Sequence, residues 1–206
     1  MRARERGSWG LRLAVLVLAA SAGIASVARA ESPVVVATAG VSLSPNGTPG
    51  AGGSAGSFGL LFPFDGRWSF GGALFAEDLG TGLGTLRDPN SGGALGTVAD
   101  LHRWAYGGEW QVEARLHHGR RLGLMWGAGF GFGRQERDQR GQVNGAVSGV
   151  TASTSATFVV PVSHGHAVGV ALAARRLFVN TAADPGRSTN WATAAFEWRW
   201  QGTPKE

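Results

Sequence analysis

Residues 121–133 read RLGLMWGAGFGFG, with glycine at almost every second place. Leu122, Leu124, Trp126, Ala128, Phe130 and Phe132 share one parity; Gly123, Met125, Gly127, Gly129, Gly131 and Gly133 share the other. Successive side chains of an extended chain point to opposite faces. This stretch therefore reads as a strand with one bulky apolar face and one nearly bare face. The preceding segment, 103–115, alternates differently. Trp104, Tyr106, Trp110, Val112 and Ala114 lie on one face, and Arg103, Glu109, Gln111, Glu113 and Arg115 on the other.

A water-soluble barrel would turn the apolar faces inward, leaving the glycine face in water with no side chain to solubilise it. A membrane barrel inverts the assignment, with aromatics on lipid and the polar face in the lumen. An eight-stranded lumen is just wide enough to be filled by side chains. Long Glu and Arg side chains on one strand then need small neighbours, and the glycines supply them. Residues 146–162 agree: Val150, Ala152, Thr154, Ala156, Phe158 and Val160 face out, and Thr151, Ser153, Ser155 and Thr157 face in.

Eight strands can be read at 33–44, 54–64, 67–77, 103–115, 121–133, 146–162, 167–179 and 191–200. The connections run long, short, long, short, long, short, long. Antiparallel strands put alternate connections at opposite ends, so all short turns share one end. That asymmetry is expected of outer-membrane barrels, with short periplasmic turns and long external loops. The phase of the third strand is open at Gly71-Gly72, where a bulge would shift it.

The chain has 206 residues and no cysteine. Its first thirty residues combine a basic start, an apolar run from Leu13 to Val27 and an ARA end, the pattern of a cleaved secretory signal peptide. That segment carries five Arg and one Glu, leaving 14 Lys+Arg against 13 Asp+Glu. No basic stripe remains to attract nucleic acid. The expected organisation is a signal peptide at 1–30 and a barrel domain at 31–206. External loops are expected near 45–53, 78–102, 134–145 and 180–190, with a short periplasmic tail at 201–206.

These features resemble the small eight-stranded outer-membrane barrels of Gram-negative bacteria, the OmpA-like and OmpX-like barrel domains. The resemblance implies an all-β, eight-stranded antiparallel up-and-down transmembrane β-barrel in the cell envelope. Family barrels often end in a strand that the assembly machinery reads. Thr193, Ala195, Trp198 and Trp200 occupy the places of that signal, with Ala where Gly is usual. The tail QGTPKE after the terminal aromatic departs from the family pattern.

Glu109, Glu113, Arg115, Arg175, Glu197 and Arg199 are the candidate lumen charges, read as mutually compensating ion pairs. Trp104, Tyr106, Trp110, Trp126, Phe130, Phe132, Phe196, Trp198 and Trp200 are the expected lipid-facing aromatics. Trp68 and Trp191, near strand ends, join the girdle reading; Trp126, mid-strand, fits it less well. Arg175 and Arg176 are consecutive, so one points in and the other lies at the outer rim, facing lipopolysaccharide phosphates. The pairs His117-His118 and His164/His166 fall on short turns without a third ligand, so neither metal nor other cofactor is expected. His102 near the external rim, with Ser148 two strands away, is the only footing for an enzyme. GAGFGFG lacks the third glycine of a dinucleotide fingerprint. The function expected is structural, or interactive through external loops, without catalysis. The expected partners are outer-membrane lipid, lipopolysaccharide and the barrel-assembly machinery. The rival reading is an exported soluble lipocalin-like barrel binding an apolar ligand; a lipid A-remodelling barrel enzyme comes third.

Overall fold

The computed structural model describes residues 32–44, 52–87, 94–119, 121–139, 142–181 and 184–202. The expected signal peptide lies outside the described residues, as does most of the tail. Eight strands follow in order: β1 (Val34–Leu43), β2 (Gly52–Asp65), β3 (Trp68–Arg87), β4 (Ala94–His118), β5 (Gly123–Gln139), β6 (Gln142–Ser163), β7 (His166–Thr181) and β8 (Asp184–Gln201). Each pairs antiparallel with the next, and β1 pairs with β8 to close an up-and-down barrel.

Three tight connections share one end of the ring. In the first, Asp65 Oδ1 accepts from the backbone N–H of Arg67 at 2.9 Å and of Trp68 at 3.1 Å. Gly66 supplies the positive φ that this turn requires. Gly165 does the same between β6 and β7. At the opposite end the strands run well past the spans read from the sequence. β3 reaches Arg87, β4 starts at Ala94, β5 reaches Gln139 and β8 starts at Asp184. Segments expected as loops at 78–102, 134–145 and 180–190 thus contain much paired strand. Where both faces of a ladder meet water the backbone still pairs, but the apolar alternation that marks a strand disappears.

The pairing of β3 with β2 is unbroken from Ser69 to Glu77, so Gly71-Gly72 holds no bulge. The irregularity comes later, between Asp78 and Thr81. There Gly80 takes a positive φ and donates to Asp78 Oδ1 at 2.7 Å. Leu79 keeps the inward parity of Phe75 and Glu77 and is fully buried. Leu79 joins Phe75, Ala105, Leu177, Val179 and Trp191 in an apolar plug inside the ring.

Candidate functional site

The inner and outer faces follow strand parity. Phe130 and Phe196 are each 55% exposed, whereas Glu109 is 0% and Glu197 4% exposed. Trp104, Tyr106, Trp126, Phe132 and Trp200 are also exposed on the outside. Trp110 and Trp198 lie on the same outward parity, half-buried. Trp126, read from the sequence as mid-strand, is the fourth residue of β5, near the short-turn end, and its Nε1–H donates to Thr154 Oγ1 at 3.1 Å across the strand pair on the outer surface.

Five of the six expected lumen charges form two networks inside the barrel. In the first, Arg175 Nε donates to Glu109 Oε1 at 2.9 Å and Nη2 to Glu109 Oε2 at 3.2 Å, a bidentate pairing. Its Nη1 pairs with Glu77. Glu109 also accepts from Ser153 Oγ at 2.8 Å. Glu77 accepts from Thr193 Oγ1 at 2.8 Å and from the Trp191 indole N–H. The guanidinium carbon lies 4.0 Å from the Phe75 ring centroid and 6.0 Å from that of Trp191. Arg175 is thus held by carboxylates at its edge and by aromatic faces.

In the second network, Arg199 Nη1 donates to Glu113 Oε1 at 2.6 Å, Nη2 pairs with Glu113 Oε2, and Nε pairs with Glu197. Thr157 Oγ1 reaches Glu197 Oε2 at 3.5 Å. Arg115, expected to join, does not. It lines a 290 Å³ vestibule at the short-turn end, beside His117 and Gln201, that Glu113 and Arg199 also border. Among the described residues no ion pair joins it to either network. Register explains the gap: Arg115 lies one inward position beyond Glu113, past the level of Arg199.

The bare face of β5 makes room for these side chains. A Cβ at Gly129 would collide with Ser153 Oγ and stand 3.1 Å from Glu109 Oε2. At Gly133 it would stand 2.8 Å from Thr151 Cγ2. Between the two networks a cavity of about 70 Å³ remains, lined by Thr38, Ser57, Gln111, Ser155 and the charged groups. It holds a few waters at most. The apolar plug and the buried bond from Thr189 Oγ1 to Gln135 Oε1, at 2.9 Å, close the other end.

Two residues of the first network escaped the sequence reading. Glu77 stands at the end of the third strand as read, beyond the stretch whose phase was open. Trp191, expected in the aromatic girdle, is 3% exposed and faces the lumen. The signal was available, because Trp191 shares the odd parity of Glu197 and Arg199. Of the assembly-signal-like residues, Thr193 and Ala195 point inward, while Trp198 and Trp200 lie on the outward parity. Arg176 is exposed and Arg175 buried, as the consecutive pair requires.

A polar rim marks where the outward apolar band ends. His102 Nε2 and Asp78 Oδ1 are 2.8 Å apart. Glu136 Oε1 accepts from Tyr106 Oη and from Arg134 Nε, each at 2.9 Å. Ser148 pairs in register with Arg134, and His102 with Asp138 farther along the same strand, so His102 and Ser148 are not brought together. Among the described residues no cluster of three His, Asp or Glu side chains is arranged to hold a metal.

No protein-family model matches the chain, and no curated protein matches it. Solved structures do. Neisserial surface protein A aligns with a TM-score of 0.57 at 10% identity, covering 82% of this chain and 96% of that one. The N-terminal β-barrel domain of Pseudomonas aeruginosa OprF gives 0.49 at 11%, covering 84% and 100%. The outer membrane enzyme PagL gives 0.39 at 16%, covering 81% and 98%. The fold is that of the small eight-stranded outer-membrane barrels. At such identities the likeness is one of fold.

Proposed function

We propose that this chain is exported with cleavage of residues 1–30 and resides in the outer membrane as a sealed, non-catalytic barrel. It acts structurally or through the strand hairpins that project beyond its polar rim. The observation that carries this reading is the inversion of faces: large apolar side chains stand outside, while Glu77, Glu109, Arg175, Glu197 and Arg199 are buried inside. Water would reward the opposite arrangement. Lipid also requires every backbone N–H and C=O of a spanning segment to be paired, and ring closure achieves this.

The lipocalin-like alternative needs an apolar interior with room for a ligand. Here the interior holds ion networks, a cavity of about 70 Å³ and a 290 Å³ vestibule bordered by Glu113, Arg115 and Arg199, charges that an apolar ligand would have to desolvate. The enzyme alternative rests on His102, whose partner is Asp78 rather than Ser148. The partners this reading implies are outer-leaflet lipid, lipopolysaccharide and, during insertion, the barrel-assembly machinery acting on β8.

Cell fractionation with heat-modifiable gel migration tests the location, and planar-bilayer recording tests the seal. The expected result is an outer-membrane protein whose folded and unfolded forms migrate differently and which passes no steady current. Recovery as a soluble periplasmic protein would overturn the location. A stable conductance would overturn the sealed lumen.

A further inference from the structure

The outward face is uneven. Elsewhere bulky side chains stand out from the ring, but near the rim of β6, β7 and β8 they are short. Thr154, Ala174 and Ala192 lie side by side in register, and Leu43 of β1 continues the row. These short residues leave an open, mainly apolar groove of about 750 Å³. The next row toward the rim is Ala152, Arg176 and Asn190. Arg176 stacks over Phe178, its guanidinium carbon 4.8 Å from the ring centroid, which places a cation along the groove's upper edge.

Height decides what meets this groove. From Trp200 to Asn190 there are ten residue steps along β8. At about 3.3 Å per step and a tilt near 40°, they rise about 25 Å, the height of the apolar band of such barrels. Arg176 and Asn190 therefore sit where acyl chains give way to headgroups, with an apolar trough directly below. A long acyl chain fits along Ala174 and Ala192, and a phosphate fits against the guanidinium. A second copy fits less well, because a two-fold contact through this groove brings one Arg176 toward the other.

The geometry points to a binding groove for lipid A on the outer face of β6–β8, with Arg176 and Asn190 on a phosphate and Ala174 and Ala192 under an acyl chain. This inference rests on the outer-membrane location proposed above. Arg134 is the natural control, because it also lies at the rim, on β5 and away from the groove.

Native mass spectrometry of the full chain, extracted from outer membranes, tests the groove with diphosphoryl lipid A and its dephosphorylated form as probes. One diphosphoryl lipid A should bind, and the dephosphorylated form should bind more weakly. Arg176→Gln should weaken binding about tenfold, the loss of one charge-assisted contact. Ala192→Phe, which fills the trough, should also weaken it, and Arg134→Gln should not. Equal binding by wild type, Arg176→Gln and Ala192→Phe overturns the groove. So does an equal loss in Arg134→Gln, or a disulfide-linked dimer of Ala192→Cys in place of lipid retention. Heat-modifiable migration of each variant establishes that it has folded. A chain absent from the outer-membrane fraction removes the location as well; an inserted, heat-modifiable chain that ignores lipid A removes only the groove.

Discussion

The two lumen networks share one composition, an arginine between two glutamates, yet differ in how completely they are satisfied. Around Arg175 both carboxylates hold further donors: Ser153 on Glu109, and Trp191 and Thr193 on Glu77. Two aromatic rings shield the cation. Around Arg199 the only further donor among the described residues is Thr157, at 3.5 Å, and Glu113 borders the 290 Å³ vestibule. The first network is built as a closed core element, the second as a partly wetted stopper. A buried charge costs most when nothing can replace its lost partner, so the networks should respond differently to the same insult.

Arg175→Ala should be the most damaging change, leaving two buried carboxylates without a cation. A loss of about 3–5 kcal/mol is expected, read from urea unfolding of the barrel in lipid vesicles. Replacing Glu77 and Glu109 by Gln in the same background should recover much of that loss, because the penalty is uncompensated charge. Arg199→Ala should cost less, about 1–3 kcal/mol, since water from the vestibule can reach Glu113. Equal losses at the two arginines would erase the distinction. Trp191→Phe keeps the ring but removes the donor to Glu77, and about 1–2 kcal/mol should be lost in the same assay. The hydroxyl deletions are the finest test. Ser153→Ala should cost about 1 kcal/mol, whereas Thr157→Val, losing only the 3.5 Å contact, should be near neutral.

The sequence carried much of this comparison. Period-two alternation gave the strand centres and the facing of Glu109, Glu113, Arg175, Glu197 and Arg199. It also linked the glycine face of β5 to the charges beside it, and the Cβ collisions at Gly129 show why. Partner choice was less legible, because it depends on register across the ring. Arg175 meets Glu77 nearly a hundred positions away, and nothing local to either residue encodes that. Arg115 shows the same limit, facing inward as its parity requires but lying below both networks. Trp191 was misread for another reason. Its aromatic character suggested the girdle, while its parity placed it inside, and parity prevailed because the strand cannot turn one residue around without a bulge. The extended ends of β3, β4, β5 and β8 were hidden because the alternation signal fades outside the apolar band while backbone pairing continues.

The seam between β1 and β8 runs from Val34 opposite Gln201 to Leu43 opposite Ala192. Every other neighbouring pair of strands is also tethered by chain; this pair is joined by hydrogen bonds alone. It is therefore the one door in the wall that can swing without cutting a covalent connection. It is also the last to shut, because its two leaves come from opposite ends of the barrel domain. Until β8 arrives, β1 has a bare edge that lipid cannot satisfy. In the bilayer proposed for this chain, a half-threaded ring would leave that edge unpaired, so the seam is where an open wall would cost most.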